Sequence, residues 1–252
     1  MNIGTMWRDT GPVTKNLIII NFLLYAVEII FPGFCNTLIT KLGLHLVTAS
    51  HFNPIQLLTY MFLHDNHTLL HILFNMFTLW MFGRILEHTW GSKRYLVFYM
   101  VCGIGAAIVQ EAVWLLTWKH EYISALAPVN GLTYGHMADV VNNAIATHDS
   151  DFLQAIGLFK NQFVTIGASG AVFGLLLGFA MVYPDMPLYL FFIPIPIKAK
   201  YMVIGYAVLE FFLGVNGGGT IAHFAHLGGM LFGLVMLLYW KKKGTLHGHG
   251  FY

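Results

Sequence analysis

Six apolar runs organise the 252-residue chain, at about residues 16–31, 68–82, 95–118, 169–183, 201–213 and 221–240. Runs of this length with few charges read as membrane-spanning helices, and an all-α membrane protein follows. The first run carries Glu28 and stops at Pro32-Gly33. A carboxylate is expensive in lipid, so Glu28 is expected near the interface or facing the bundle. Residues 33–56 are too polar to span and too apolar for a plain loop, which predicts an interfacial or re-entrant segment between the first two spans. The fourth run begins at Ser169 and stops at Pro184. Asn216-Gly217-Gly218-Gly219 ends the fifth as a flexible loop, and Lys241 to Lys243 close the sixth. Residues 119–162 read mostly as a solvated outer-side loop, with an amphipathic helix over 151–159. A single membrane domain over 1–243 and a disordered tail over 244–252 complete the expected organisation.

Composition sharpens this reading. The chain is 57% hydrophobic and only 10% charged, with mean hydropathy +0.67, where soluble domains carry about 25% charged residues. A formal charge of +2 gives no electrostatic footprint for nucleic acid. Cys35 and Cys102 make no disulfide framework, and Cys102 sits in an apolar run as a buried thiol would. The stretch Met1 to Gly11 is mixed and polar and no cleavage site follows the first run, which reads as a retained anchor. Ten Lys and Arg fall on the side of both termini and three on the other. The excess of basic residues predicts cytoplasmic termini for a multi-pass protein.

Orientation then places Ser169 in the outer half of the bilayer. From Ser169 to Tyr183 is 15 residues, about 22 Å as a helix, while the hydrocarbon core is about 30 Å thick. A helix this short leaves its serine below the outer face. Gly170, Gly174 and Gly178 follow at intervals of four, the usual device for close helix packing, and packing alone would explain that stripe. The sixth run opens Ile221-Ala222-His223-Phe224-Ala225-His226 and carries a second glycine pair, Gly229 and Gly233. Two glycine-lined helices can approach closely enough for His226 to serve Ser169 as the base that an inert hydroxyl needs. A polar helix–helix contact is the other reading of His226. On the second run His71 and Asn75 share a face, two donors suited to a developing oxyanion, with the Ser169 amide as a third. Interhelical hydrogen bonding is the alternative there. His64, His67 and His71 could also hold a metal, but the acidic residue of the zincin helix pattern does not stand between His67 and His71. Glu210, on the fifth run, is expected away from the level of His226, which leaves a serine–histidine pair without an acid.

With these residues the chain resembles the rhomboid family of intramembrane serine proteases. The resemblance rests on Gly167-Ala168-Ser169-Gly170, on Ala225-His226-Leu227-Gly228-Gly229 with Gly233 behind it, and on His71-Ile72-Leu73-Phe74-Asn75, in that family's order on the second, fourth and sixth spans. It implies a six-helix bundle in a bacterial inner membrane, acting on transmembrane protein substrates through a Ser169–His226 dyad without metal or cofactor. His71 and Asn75 would hold the oxyanion, and substrate would enter past the fifth span and its glycine loop. Phe173 stands where bacterial relatives commonly have a tyrosine that stacks on the base. Ile55-Gln56 stands where the family often has Trp-Arg, and the insert before Gly167 is longer than in compact members. A catalytically silent binder of transmembrane helices and a histidine-based metal-ion transporter are the competing functions. The roles of His64, His67 and His223 stay open.

Overall fold

A computed structural model describes residues 3–66, 68–190, 193–216 and 222–244. A short helix, α1 (Ile3–Arg8), precedes α2 (Pro12–Ile30). Proline opens α2, where its missing N–H costs nothing, and Pro32 opens α3 (Pro32–Leu42) after a break at Phe31. Strand β1 (Leu44–His45) and helix α4 (Gln56–Thr59) follow, the latter running into a single 3-10 turn at Tyr60–Phe62. Next come α5 (Leu69–Trp90) and α6 (Ser92–Val129), separated by Gly91 alone, whose φ of +77° turns the chain.

The insert between the third and fourth apolar runs is not the solvated loop that its polar composition predicts. Helix α6 has 38 residues, about 57 Å at 1.5 Å per residue, far more than a bilayer core requires. Its C-terminal extension packs against α7 (Tyr134–Ala146) and α8 (Ser150–Lys160). Tyr122, Ile123, Ala127, Met137, Val141 and Ile156 form a small separate core. The side chains of Thr133 and Asp149 cap the two helices. The expected amphipathic helix over 151–159 lies within α8. Polar outer faces masked the apolar stripe of Met137, Val141 and Ala144.

Strand β2 (Val164–Thr165) pairs antiparallel with β1 and leads into α9 (Ser169–Val182). A hairpin of β3 (Pro187–Leu190) and β4 (Ile193–Lys198), unanticipated between the fourth and fifth runs, leads to α10 (Ala199–Val215), and α11 (His223–Lys242) completes the chain. The expected glycine loop at 217–220 and the tail from 245 onward lie outside the described residues. Helices α5 and α6 overrun the second and third apolar runs, because polar ends such as Glu87 continue a helix that hydropathy alone truncates.

Among the described residues four helices, α2, α5, α6 and α11, are long and apolar enough to cross a membrane, and α9 is a shorter apolar helix. Ten of its 14 residues are buried, which makes α9 the inner helix, apolar all round and enclosed by α5, α6, α10 and α11. Around it Tyr60, Phe82 and Tyr99 join its own Phe179 in the main core. By contrast α10 is peripheral. Its Tyr201, Ile204, Phe211 and Phe212 are exposed, and Glu210 is one of three residues it buries. At the other end, Glu87 receives the backbone N–H groups of Val13 and Thr14 at 3.0 and 2.8 Å, tying the start of α2 to the end of α5. Glu28 faces the interior and is fully buried, one of the two placements its chemistry allowed. Cys35 and Cys102 are free and buried.

The α9–α11 contact is backbone on backbone. A Cβ at Gly229 would overlap the carbonyl oxygen of Gly170, and one at Gly174 would lie 3.0 Å from the Gly229 carbonyl oxygen while striking Cys102. Gly229→Ala must therefore part the two helices. It is expected to destabilise the protein by about 1–3 kcal/mol, read as a lower thermal midpoint in detergent; an unchanged midpoint would contradict the contact.

Candidate active site

Ser169 is the first residue of α9, and the chain reaches it through a strained approach. Gly167 has φ +127°, a conformation that side chains other than hydrogen rarely tolerate. Its N–H donates to the Tyr60 carbonyl at 3.0 Å, and the Tyr60 hydroxyl donates to the Gly103 carbonyl at 2.8 Å. The turn before the serine is thus anchored to α6 through Tyr60. A Cβ on Gly167 would sit 3.0 Å from His71 Nε2, so the imidazole of His71 lies directly over this turn.

His226, three residues into α11, faces Ser169. Its Nε2 is 2.8 Å from Ser169 Oγ. Phe173, one turn beyond Ser169 on α9, stacks flat on the imidazole at 4.2 Å between centroids and 4° between planes. Tyr206 of α10 packs edge-on against Phe173. The ring is therefore held between a hydroxyl and an aromatic face from the same helix. If the serine O–H donates to Nε2, the ring's proton sits on Nδ1, on the side away from the serine.

That side reveals a residue the sequence reading misplaced. Glu210 Oε2 lies 3.0 Å from His226 Nδ1 and 2.6 Å from His223 Nδ1. The His223 contact is a well-formed hydrogen bond, whereas the His226 N–H points off the line to the oxygen. Glu210 is at the level of His226, not away from it. Arithmetic along the chain could have found this. Glu210 is five residues inside the end of α10, about 7.5 Å, and His226 is three inside the start of α11, about 4.5 Å. Both count inward from the same connecting loop, so their levels nearly coincide.

His71 and Asn75 sit one turn apart on α5. The Asn75 carboxamide donates one N–H to the His71 carbonyl at 3.0 Å, which fixes its orientation. His71, Asn75, Ser169 and His226 all line one cavity of about 1150 Å³ between α5, α9, α10 and α11, with Phe74, Met202 and Tyr206 among its apolar walls. The Ser169 amide at the start of α9 is one of the donors that a helix leaves without an internal partner. His64 stands behind His71, with ring centroids 5.2 Å apart. Burial and the neighbouring His71 push His64 down to about 3, so it is neutral at pH 7. His67 lies outside the described residues. The donors that come close enough for a single ion, among the described residues, are Glu210, His223 and His226, not the His64–His71 group.

Gly167→Ala should cost more than about 1 kcal/mol, because the positive φ and His71 both oppose a Cβ. Gly157→Ala in α8, where an added Cβ meets nothing within 4 Å, should instead raise the thermal midpoint. Shifts of equal sign in the two variants would contradict this account of the serine turn.

A family model described as Rhomboid domain matches residues 51–243, from the loop before α4 to the end of α11. No match was found among curated proteins. Together with the four long apolar helices, the match marks an integral membrane protein.

Proposed function

Because the chain belongs to the rhomboid family, we propose that it is a serine endopeptidase that cuts transmembrane segments of other proteins within the bilayer. The observation that carries this reading is the 2.8 Å approach of Ser169 Oγ to His226 Nε2 at the wall of a large cavity. In the proposed reaction His226 Nε2 takes the serine proton as Oγ attacks a peptide carbonyl carbon. The oxyanion is received by the Ser169 amide, the His71 imidazole and the free N–H of Asn75. His226 then gives its proton to the departing amine. Water, deprotonated by the same nitrogen, opens the acyl-enzyme and releases a carboxylic acid, and Ser169 regains its proton. No step in this sequence calls for a metal or cofactor.

Six spans serve this reading: α2, α5, α6, α9, α10 and α11, within one membrane domain over 1–243. Basic residues keep both termini in the cytoplasm, and residues 33–56 lie at the outer interface. With 14 residues, α9 extends about 21 Å. If its C-terminal end reaches the inner face, Ser169 stays below the outer one, and the cavity brings water to it. A bacterial inner membrane is the setting. Substrates present extended backbone, hence helix-weakening residues and a small residue at the cut.

Wild type, Ser169→Ala and His226→Ala, purified in detergent with a fluorogenic transmembrane peptide, decide the matter. Both variants are expected to lose activity by about 10⁴-fold or more, and to similar depth, because the two groups act as a unit. Asn75→Ala should lower kcat by about 10²-fold or more. Cleavage by Ser169→Ala at the wild-type rate would end the serine mechanism, and no cleavage by wild type would favour a silent binder of helices.

A further inference from the structure

We infer that Glu210 is a positioning residue for His226, which makes the site a serine–histidine–glutamate arrangement with the acid supplied from a neighbouring helix. This rests on the serine-protease reading above. Three observations lead to it. Glu210 is a carboxylate on the peripheral helix α10, whose other side chains are mostly apolar and outward-facing, yet it turns inward and is 8% exposed. Burying a carboxylate is costly unless it is paired. Its Oε2 lies within 3.0 Å of Nδ1 on both His223 and His226. And His226 Nδ1 is buried without another hydrogen-bond partner among the described residues.

Chemistry assigns the roles. A ring that takes the serine proton on Nε2 must already carry one on Nδ1, and a buried N–H left without an acceptor costs about 1–3 kcal/mol. Among the described residues Glu210 is the acceptor within reach. The contact is off line in the resting site, as hydrogen bonds of catalytic groups often are before substrate tightens them. Once the proton has moved, the ring is an imidazolium 3.0 Å from a carboxylate oxygen. The charge that forms during attack is then balanced without Glu210 itself becoming protonated. His223 holds that oxygen at 2.6 Å and keeps the carboxylate in place.

The spacing also separates a proton from a metal. Two ligand atoms about 2.0–2.1 Å from a tetrahedral zinc ion lie about 3.3 Å apart. The two nitrogen–oxygen separations here, 2.6 and 3.0 Å, are those of hydrogen bonds. The groups facing His226 are Ser169 and Phe173 from α9, His71 from α5, Glu210 from α10 and His223 from α11 itself. Helix α6 meets α11 with Ala106 and Val109 at Gly228. Glu210 is the carboxylate in this set.

The test uses the full-length protein in detergent and a fluorophosphonate, which is attacked at phosphorus by Ser169 Oγ, loses fluoride, and needs neutral His226 to take the proton. Labelling rate is followed against pH. Glu210→Gln should slow labelling at least tenfold, up to the roughly 10⁴-fold loss that follows when the orienting acid of a serine triad becomes its amide. A carboxylate beside an imidazole favours the protonated ring. Removing the charge should therefore move the acid limb of the profile to lower pH. Glu210→Asp keeps the charge and should leave the limb near its wild-type position. An unmoved limb in Glu210→Gln overturns the inference, whether or not the rate falls, since a merely structural role would change rate and thermal midpoint alone. So does one equivalent of zinc in the purified protein that is lost with Glu210→Gln. A measurement without any Glu210 variant is ¹⁵N-histidine NMR, with the His226 signals identified by their absence in His226→Ala. A neutral His226 protonated on Nδ1 is expected, and protonation on Nε2 would refute the role of Glu210. Failure of the wild type to label at Ser169 would instead strike the protease reading, with the tautomer still judging Glu210.

Discussion

Everything at the site depends on the bare backbone contact between α9 and α11. Ser169 is the residue before Gly170, and His226 lies three residues before Gly229, so the glycine contact stands less than one turn from both. Lipid tails are as apolar as a leucine side chain, which leaves little hydrophobic drive to press two membrane helices together. Close packing of small residues supplies that drive instead. Here the Gly170 carbonyl occupies the space that a Cβ on Gly229 would need. Distance between the helix axes, and hence the 2.8 Å between Oγ and Nε2, follows from the smallest side chain available.

A second constraint is the cost of polar groups in an apolar surround. Such groups persist where they hold one another. Glu87 gathers backbone donors at the start of α2, the Tyr60 hydroxyl anchors the turn that carries Gly167, and Glu210 joins two imidazoles across α10 and α11. The last of these has a mechanical side. Helix α10 is the most exposed of the helices around the cavity and supplies part of its wall through Met202 and Tyr206. Its grip on α11 at Glu210 links the position of that wall to the orientation of the His226 ring. The long helix α6, continued into the α7–α8 pair, extends the same bundle with a small core of its own.

Much of this was legible in the residues. Leu, Ile, Val and Phe in runs bounded by Pro32, Pro184 and Lys241 announce helices, and glycine at intervals of four announces which of them approach closely. Ser169, His226, His71 and Asn75 were readable as one group because chemistry restricts what such residues do inside a membrane, and the folded chain lines a single cavity with all four. The insert was not legible as helix, since a helical pair that covers an extension of α6 keeps polar residues outward and looks, in sequence, like a loop. The β3–β4 hairpin was hidden in the same way by Pro194 and Pro196, which break a regular strand pattern yet fit a two-stranded ribbon with free edges.

By itself the sequence determined that the chain is helical and membrane-bound, and which few side chains could perform chemistry there. Hydropathy, helix breakers and residue type are local properties and survive without coordinates. Only the tertiary structure decided that Glu210 faces inward, that two histidines share its oxygen, and that Phe173 lies flat on the His226 ring. Those facts depend on how α10 and α9 are rotated about their axes. An apolar helix in a membrane carries too little contrast between its faces for its sequence to say which way it turns; its neighbours settle that.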